Sequence, residues 1–240
     1  MMRHMLNFRL GMIAAVILLL LLIIFLPLRV ALGSIYGSNL VTAREASGTV
    51  WSGKLHDARL GPFSVGSVNG RLAFWPLLLG RTRLMLERPV APDATAFSGT
   101  IASSGSQFAL AHITATVPVD QAFAQLPIRN LQFVDFNSEF SGGQCRSASG
   151  SVRIMLAASL PGFDLPQGLL GTARCEKGSL LLPLVSQTGL ERLEIAIRAD
   201  RSYTADLILA GARPDIAPAL TLSGFTSIAN GYRLRRTGKF

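Results

Sequence analysis

Residues 47–57 read SGTVWSGKLHD, the spacing in this chain that comes closest to a chemical motif. Gly48, four residues, Gly53 and Lys54 match the start of a phosphate-cradling loop. In such a loop backbone N–H groups wrap the phosphates and the lysine reaches the outer oxygens. A working loop also needs an apolar strand before it, a helix after it, and a Ser or Thr after the lysine to hold magnesium. Here VTAREAS precedes it, Leu55 follows Lys54, and LHDARLG alternates like a strand. No nucleotide site is expected. His56 and Asp57 set a base beside an acid, but neighbours on a strand point to opposite faces and cannot form a dyad. His112 lies in LAHITA, a second expected strand. No Gly-x-Ser-x-Gly elbow is present, and the acids are scattered rather than gathered in a metal loop. Two cysteines and three histidines are too few for a Cys/His zinc cluster. The sequence therefore assigns no catalytic, cofactor-binding or metal-binding residue, and no enzyme is expected.

Trp51 and Trp75 sit beside glycine or proline in apolar stretches, TVWSG and AFWPLLLG. They read as core anchors that fix sheet register, or else as residues at a partner surface or the bilayer interface. Gly53, inside the same expected strand, marks a bulge or a close backbone approach. On this reading the phosphate-loop spacing is a bent, tryptophan-bearing strand.

The elements that must position these residues start with the apolar run LGMIAAVILLLLLIIFLPL over residues 10–28. A helix of that length spans roughly 28 Å, close to the hydrocarbon thickness of a bilayer. Arg3 and Arg9 precede it, which keeps residues 1–9 in the cytoplasm and sends the rest across the membrane. A cleaved signal peptide, with ALG at 31–33 as its site, is the alternative. Residues 29–44 form a tether and 45–240 an exported domain. Of 23 Lys and Arg, two precede the run, which leaves 21 against 14 acidic residues, a net of +7. On an exported domain that charge excludes nucleic acid and suits anionic lipid head groups or an acidic protein, or simply solubility. In an oxidising compartment Cys145 and Cys175 are expected to pair, with reduced structural thiols as the alternative. Closing that loop would stabilise by roughly 3–4 kcal/mol in the chain-entropy model.

The exported domain reads almost entirely as strand. ERLEIAIRAD, RTRLMLER, YTADLILAG and SQFALAHITA alternate with period two, and turn signals such as SVNGR, SGGQ and ANGY separate them. FWPLLLG and SLLLPLV contain proline and fit strands or turns. The spacing predicts a mainly β fold, a curved antiparallel sheet or a sandwich. One segment differs: VPVDQAFAQLP places Val119, Phe123 and Leu126 at helical spacing, which predicts a short helix over 118–126 between two strand groups. SVGSVNGRLAF and CRSASGSVRIML, one in each group, are both long strands punctuated by glycine and hint at a duplicated unit.

An N-terminal anchor, then ASGTVWSG, a glycine-rich strand and LAFWPLLLGR about 20 residues on resemble the type II secretion system protein N family. The W-P-L-L-x-G echo, the paired cysteines and the glycine-tyrosine close in SGFTSIANGYRLRRTG are similar to that family as well. The resemblance implies an inner-membrane-anchored, periplasmic, non-catalytic component or assembly factor. Its partners would be the inner-membrane platform or the secretin, and inner-membrane lipids, with no nucleotide. Residues 90–140 carry no part of the resemblance. The G-x-x-W-x-G style of residues 48–53 also resembles AsmA-like proteins. That alternative implies a periplasmic β-groove that binds or moves lipid, with a continuous apolar concave face.

Overall fold

A computed structural model describes residues 12–14, 17–18, 21–28, 41–61, 63–88, 95–119, 123, 126, 128–156, 168–211 and 216–240. Strands dominate. The first nine are β1 (Val41–Thr42), β2 (Glu45–Thr49), β3 (Ser52–Leu60), β4 (Phe63–Leu72), β5 (Thr82–Arg88), β6 (Phe97–Ser104), β7 (Gln107–Pro118), β8 (Ile128–Ser141) and β9 (Gln144–Leu156). The remaining seven are β10 (Leu169–Thr172), β11 (Arg174–Glu176), β12 (Ser179–Val185), β13 (Glu191–Ile197), β14 (Ser202–Ala210), β15 (Thr226–Ile228) and β16 (Gly231–Lys239). They form one 16-stranded antiparallel sheet, in chain order for most of its width, with β16 inserted between β14 and β15. The fold is thus a single sheet rather than a sandwich. β7 pairs directly with β8, so the two expected strand groups are parts of one sheet.

The period-two runs explain most of it. In β14 Tyr203, Ala205, Leu207 and Leu209 are buried, and the residues between them are only partly so. In β13 Leu193 and Ile195 face the same core. Between β12 and β16 the ladders run without a register slip. The earlier ladders do slip, at β3–β4, β6–β7, β7–β8 and β8–β9. At two of these slips a pair of residues opposes one glycine: His112 and Ile113 face Gly99, and Asp135 and Phe136 face Gly150. These are β-bulges, which bend the strand and increase its twist. His112 and Asp135 have φ of 51° and 47°, in the left-handed region where His and Asp are enriched among non-glycine residues. A Cβ on Gly150, itself at φ +100°, would lie 2.4 Å from the Asp135 carbonyl oxygen.

Two short helices interrupt the sheet, α1 (Phe74–Leu78) and α2 (Ala217–Leu222). FWPLL was expected as strand or turn. It is helical because Pro76 cannot donate to a ladder but fits a first turn, where N–H groups have no intrahelical partner. In the segment 118–126, Pro118 does not open a helix. It closes β7, paired with Asn130. Val119, Phe123 and Leu126 are all buried, and the rest of that segment lies outside the described residues. Among the described residues no helix is long and apolar enough to cross a membrane. The anchor expected over 10–28 falls only partly on them, with 12–14, 17–18 and 21–24 helical.

β15 covers β16 only at Gly231–Arg233. Beyond that point the outer side of β16 has no strand partner among the described residues.

Candidate functional site

The glycine–lysine spacing is a β-hairpin. Gly48 pairs with Gly53 and Ser47 with Lys54, while Val50 and Trp51 form the turn between Thr49 and Ser52. Gly48, on β2 just before the turn, adopts φ +84°, a backbone conformation that glycine takes without a Cβ penalty. Lys54 therefore stands on a strand, with no helix behind it to gather a phosphate. Val50 is fully buried and its backbone joins three segments. Its N–H donates to the Leu26 carbonyl, and its own carbonyl accepts from the Leu72 N–H.

This turn docks the end of the apolar run. Pro27 bridges to Thr49, and the Trp51 indole N–H donates to the Ile23 carbonyl at 3.0 Å. Leu28, 1% exposed, packs so close to Gly53 that a Cβ there would meet its Cδ2 at 2.5 Å. Gly53 is thus a point of close approach, and Trp51 is half-buried against this junction rather than set deep in the core. Trp75 does not fit the core-anchor expectation at all: it is 75% exposed. With the ladder ended by Pro76, α1 turns outward and presents Phe74, Trp75, Leu78 and Leu79 together. The rings of Trp51 and Phe74 lie 5.5 Å apart, so this patch adjoins the apolar run.

The expected acid–base residues are surface features. His56 and Asp57 are both exposed, and Asp57 faces Arg44 at 3.8 Å. His112 does meet a carboxylate: its Nδ1 lies 2.7 Å from Asp135 Oδ1 on the neighbouring strand. The His112 N–H donates to Asn137 Oδ1, and the Asp135 N–H donates to Thr114 Oγ1. These bonds tie the two bulges together on the exposed face. The buried Glu191 carboxylate is likewise satisfied locally, accepting from the Ser186 and Thr188 hydroxyls. No group of three metal-ligating side chains occurs among the described residues. Cys145 and Cys175 form a disulfide with Cα atoms 5.6 Å apart, linking β9 to β11.

One apolar concavity was not visible residue by residue in the sequence. A cavity of about 520 Å³ lies along the inner face of the curved sheet. Its wall on β7 is Phe108, Leu110, Ile113, Ala115 and Val117, and on β8 it is Leu131, Phe133, Phe136, Ser138 and Phe140. Each row changes phase by one residue at its bulge, which keeps all the apolar side chains on one face despite the extra residue. Phe133 and Phe136, on either side of the β8 bulge, have ring centroids 5.0 Å apart. Leu180, Leu182, Ile197 and Phe240 close the opposite wall. An aromatic cluster spans the two sides: Phe123 lies 6.4 Å from Phe63 and 5.3 Å from Phe240, with Tyr203 stacked on Phe240 at 4.9 Å. Ser138 Oγ, on a residue 3% exposed, has no hydrogen-bond partner. A buried hydroxyl left so costs about 1–3 kcal/mol. Arg198 and Arg201 line the rim.

No curated protein and no solved structure matches the chain. The sequence pattern of type II secretion system (T2SS) protein N matches residues 39–235, which takes in every strand from β1 to β15 and most of β16. With its hairpin, its outward tryptophan turn, its disulfide and nearly all of its sheet inside that match, the chain belongs to the type II secretion system protein N family.

Proposed function

We propose that this chain is a non-catalytic inner-membrane component or assembly factor of a type II secretion system, acting in protein export across the outer membrane. Residues 10–28 hold it in the inner membrane with residues 1–9 cytoplasmic, and the β-domain is periplasmic; it begins earlier than the expected residue 45, since β1 within the expected 29–44 tether already pairs with β3. The family match over residues 39–235 carries this reading. Its partners are other secretion components, the inner-membrane platform or the secretin, together with inner-membrane lipids; it takes no nucleic acid and no nucleotide.

Two features support the membrane part. Ile13, Ile17, Leu18 and Leu22 of the apolar run are exposed, as lipid-facing side chains are. The end of the run, packed through Leu28 and bonded to Val50 and Trp51, is built into the β-domain, which favours a retained anchor over a cleaved leader. The exposed Phe74, Trp75, Leu78 and Leu79 beside it, followed by Arg81 and Arg83, suit an aromatic and basic contact at the head-group level.

The test is cross-linking in living cells followed by purification of the full chain. Secretion-platform proteins or the secretin should be recovered with it, and a Lys54→Ala chain should recover them equally well. An alkaline phosphatase fusion after residue 60 should be active and one at residue 8 inactive. Recovery of no secretion component would remove the functional reading, and reversed fusion activities would remove the topology.

A further inference from the structure

We propose that the free margin of β16 takes an acidic, extended segment of a partner protein as a further antiparallel strand. The inference goes beyond the secretion reading and does not rest on it. From Leu234 to Lys239 the ladder to β14 is unbroken, while the pairing with β15 stops at Arg233. Residues 234–239 thus leave roughly 20 Å of strand uncovered, at about 3.4 Å per residue. The Phe240 N–H donates to the Arg201 carbonyl, just ahead of β14, at 3.1 Å. In an antiparallel pair, successive residues turn their N–H and C=O to opposite sides. Leu234, Arg236 and Gly238 therefore face β14, and Arg235, Thr237 and Lys239 face outward. The Arg235 carbonyl accepts from Arg236 Nη1 at 3.2 Å. The Arg235 N–H and both backbone groups of Thr237 and Lys239 have no strand partner among the described residues. Neither proline nor bulge interrupts the stretch. An added strand would satisfy these groups, as extended peptides do at exposed sheet edges.

The side chains set the charge of that strand. Arg235, Thr237 and Lys239 are exposed on one face. Asp206 is held by Arg233 at 2.6 and 2.8 Å and reaches Arg235 only at 3.7 Å. Lys239 forms no ion pair or hydrogen bond among the described residues, although its charge acts on Asp200. Acidic side chains at alternate positions of an added strand would lie beside both cations, where basic ones would be repelled. Arg236, on the other face, is a second and independent observation. It lies half-buried, its Nη1 folded back on the Arg235 carbonyl and its buried Nε without a partner. A cation present only to keep strands away would extend into water. This guanidinium instead covers the margin with fewer bonds than it can make. An added strand would displace it from the Arg235 carbonyl and offer it a carboxylate.

The test uses the full-length protein in phosphatidylcholine nanodiscs and fluorescent, photoreactive peptides of about ten residues, long enough to span the margin. The probe alternates Glu and Val. The controls alternate Lys and Val, or carry the Glu–Val sequence N-methylated throughout. The Glu–Val peptide should bind and, on irradiation, label β16. N-methylation keeps the charge and removes the pairing donors, and should weaken binding at least about tenfold. The Lys–Val peptide should not bind. Thr237→Pro removes an outward donor that the ladder to β14 does not use, and should abolish binding. Proline can strain a strand, so Lys239→Glu on the exposed face is the second variant. It should leave the unfolding midpoint unchanged and weaken the Glu–Val peptide about fivefold. No binding of that peptide would overturn the proposal. So would equal binding of its N-methylated form, which would reduce the site to charge alone, or labels on α1 and Arg81–Arg83 in place of β16. Cross-links between the β16 strands of two chains would assign the margin to a second copy and overturn it as well.

Discussion

The sheet has two parts built on different rules. From β12 to β16 every ladder runs in register, and in β14 burial alternates strictly along the strand. From β3 to β9 four ladders slip, and Asp57, His112 and Asp135 hold left-handed backbone on exposed bulges. The regular part gives a stable wall. The bulged part supplies curvature, because each extra residue adds local twist and bends its strand towards the opposite wall. The concavity is therefore a product of the irregularities, and it forms where β7 and β8 carry them. The disulfide joins β9 to β11, close to where one regime gives way to the other.

This contrast can be broken most sharply at a glycine. Gly150→Val places a β-branched side chain at φ +100° with its Cβ 2.4 Å from the Asp135 carbonyl oxygen. It should cost at least about 3 kcal/mol, through backbone strain and overpacking. Ala196→Val, outward-facing in the regular part and paired with Leu181 and Thr204, should stay within about 0.5 kcal/mol. Urea unfolding of both variants measures the difference, and equal costs would show that the two parts are built alike.

Cys175→Ser should cost about 2–4 kcal/mol, and alkylation of the native wild-type protein without reductant should leave both thiols unlabelled. If the boundary between the parts is as separate as the ladders imply, unfolding of this variant should broaden, with fluorescence and far-ultraviolet dichroism no longer coincident. A smaller effect is expected at the His112 bulge. His112→Val should cost about 1–2 kcal/mol, since a β-branched residue resists left-handed backbone, whereas His112→Gly should stay within about 0.5 kcal/mol. The reverse ranking would make the exposed His112–Asp135 pair, rather than the backbone, the reason for histidine there.

The smallest effect concerns the regular part and pH. Burial pushes the Tyr203 phenol above its ordinary value of 10.0. Folding therefore favours its neutral form. That contribution is complete below about pH 10 and is lost as pH rises through the folded-state value. Absorbance titration should show a phenol ionising above pH 10, and Tyr203→Phe should abolish that step.

The regular part was legible in the sequence because its chemistry is local: ERLEIAI and YTADLILA state their own faces. The bulged part was legible only in outline. In LQFVDFNSEF the apolar positions 131, 133, 136 and 140 break period two once, and that break is the β8 bulge. Pro118 misled because proline suits a helix start and a strand end equally, and only its pairing with Asn130 decides. Trp75 could be read as core or as surface, because an aromatic in an apolar stretch does not say what will cover it; its exposure fits the surface reading. The cavity was foreshadowed only by the AsmA-like resemblance, as an apolar concave face; its lining could not be read residue by residue, since it depends on Phe63 and Phe240 meeting within 6.2 Å from distant parts of the chain. Ser138, in NSEFS, carries no local signal that distinguishes it from the other serines.

An unfinished margin of β16 remains along residues 234–239, where β15 no longer covers it. A bare strand margin is a template for runaway pairing with other chains. This one reads LRRTGK, with three cations in six residues, of which Arg235 also faces Asp206 at 3.7 Å and Arg236 is half-buried. A second copy approaching strand to strand would bring the same cations against these. Like charge along this margin opposes strand-to-strand pairing of copies, a problem that a barrel avoids by closure.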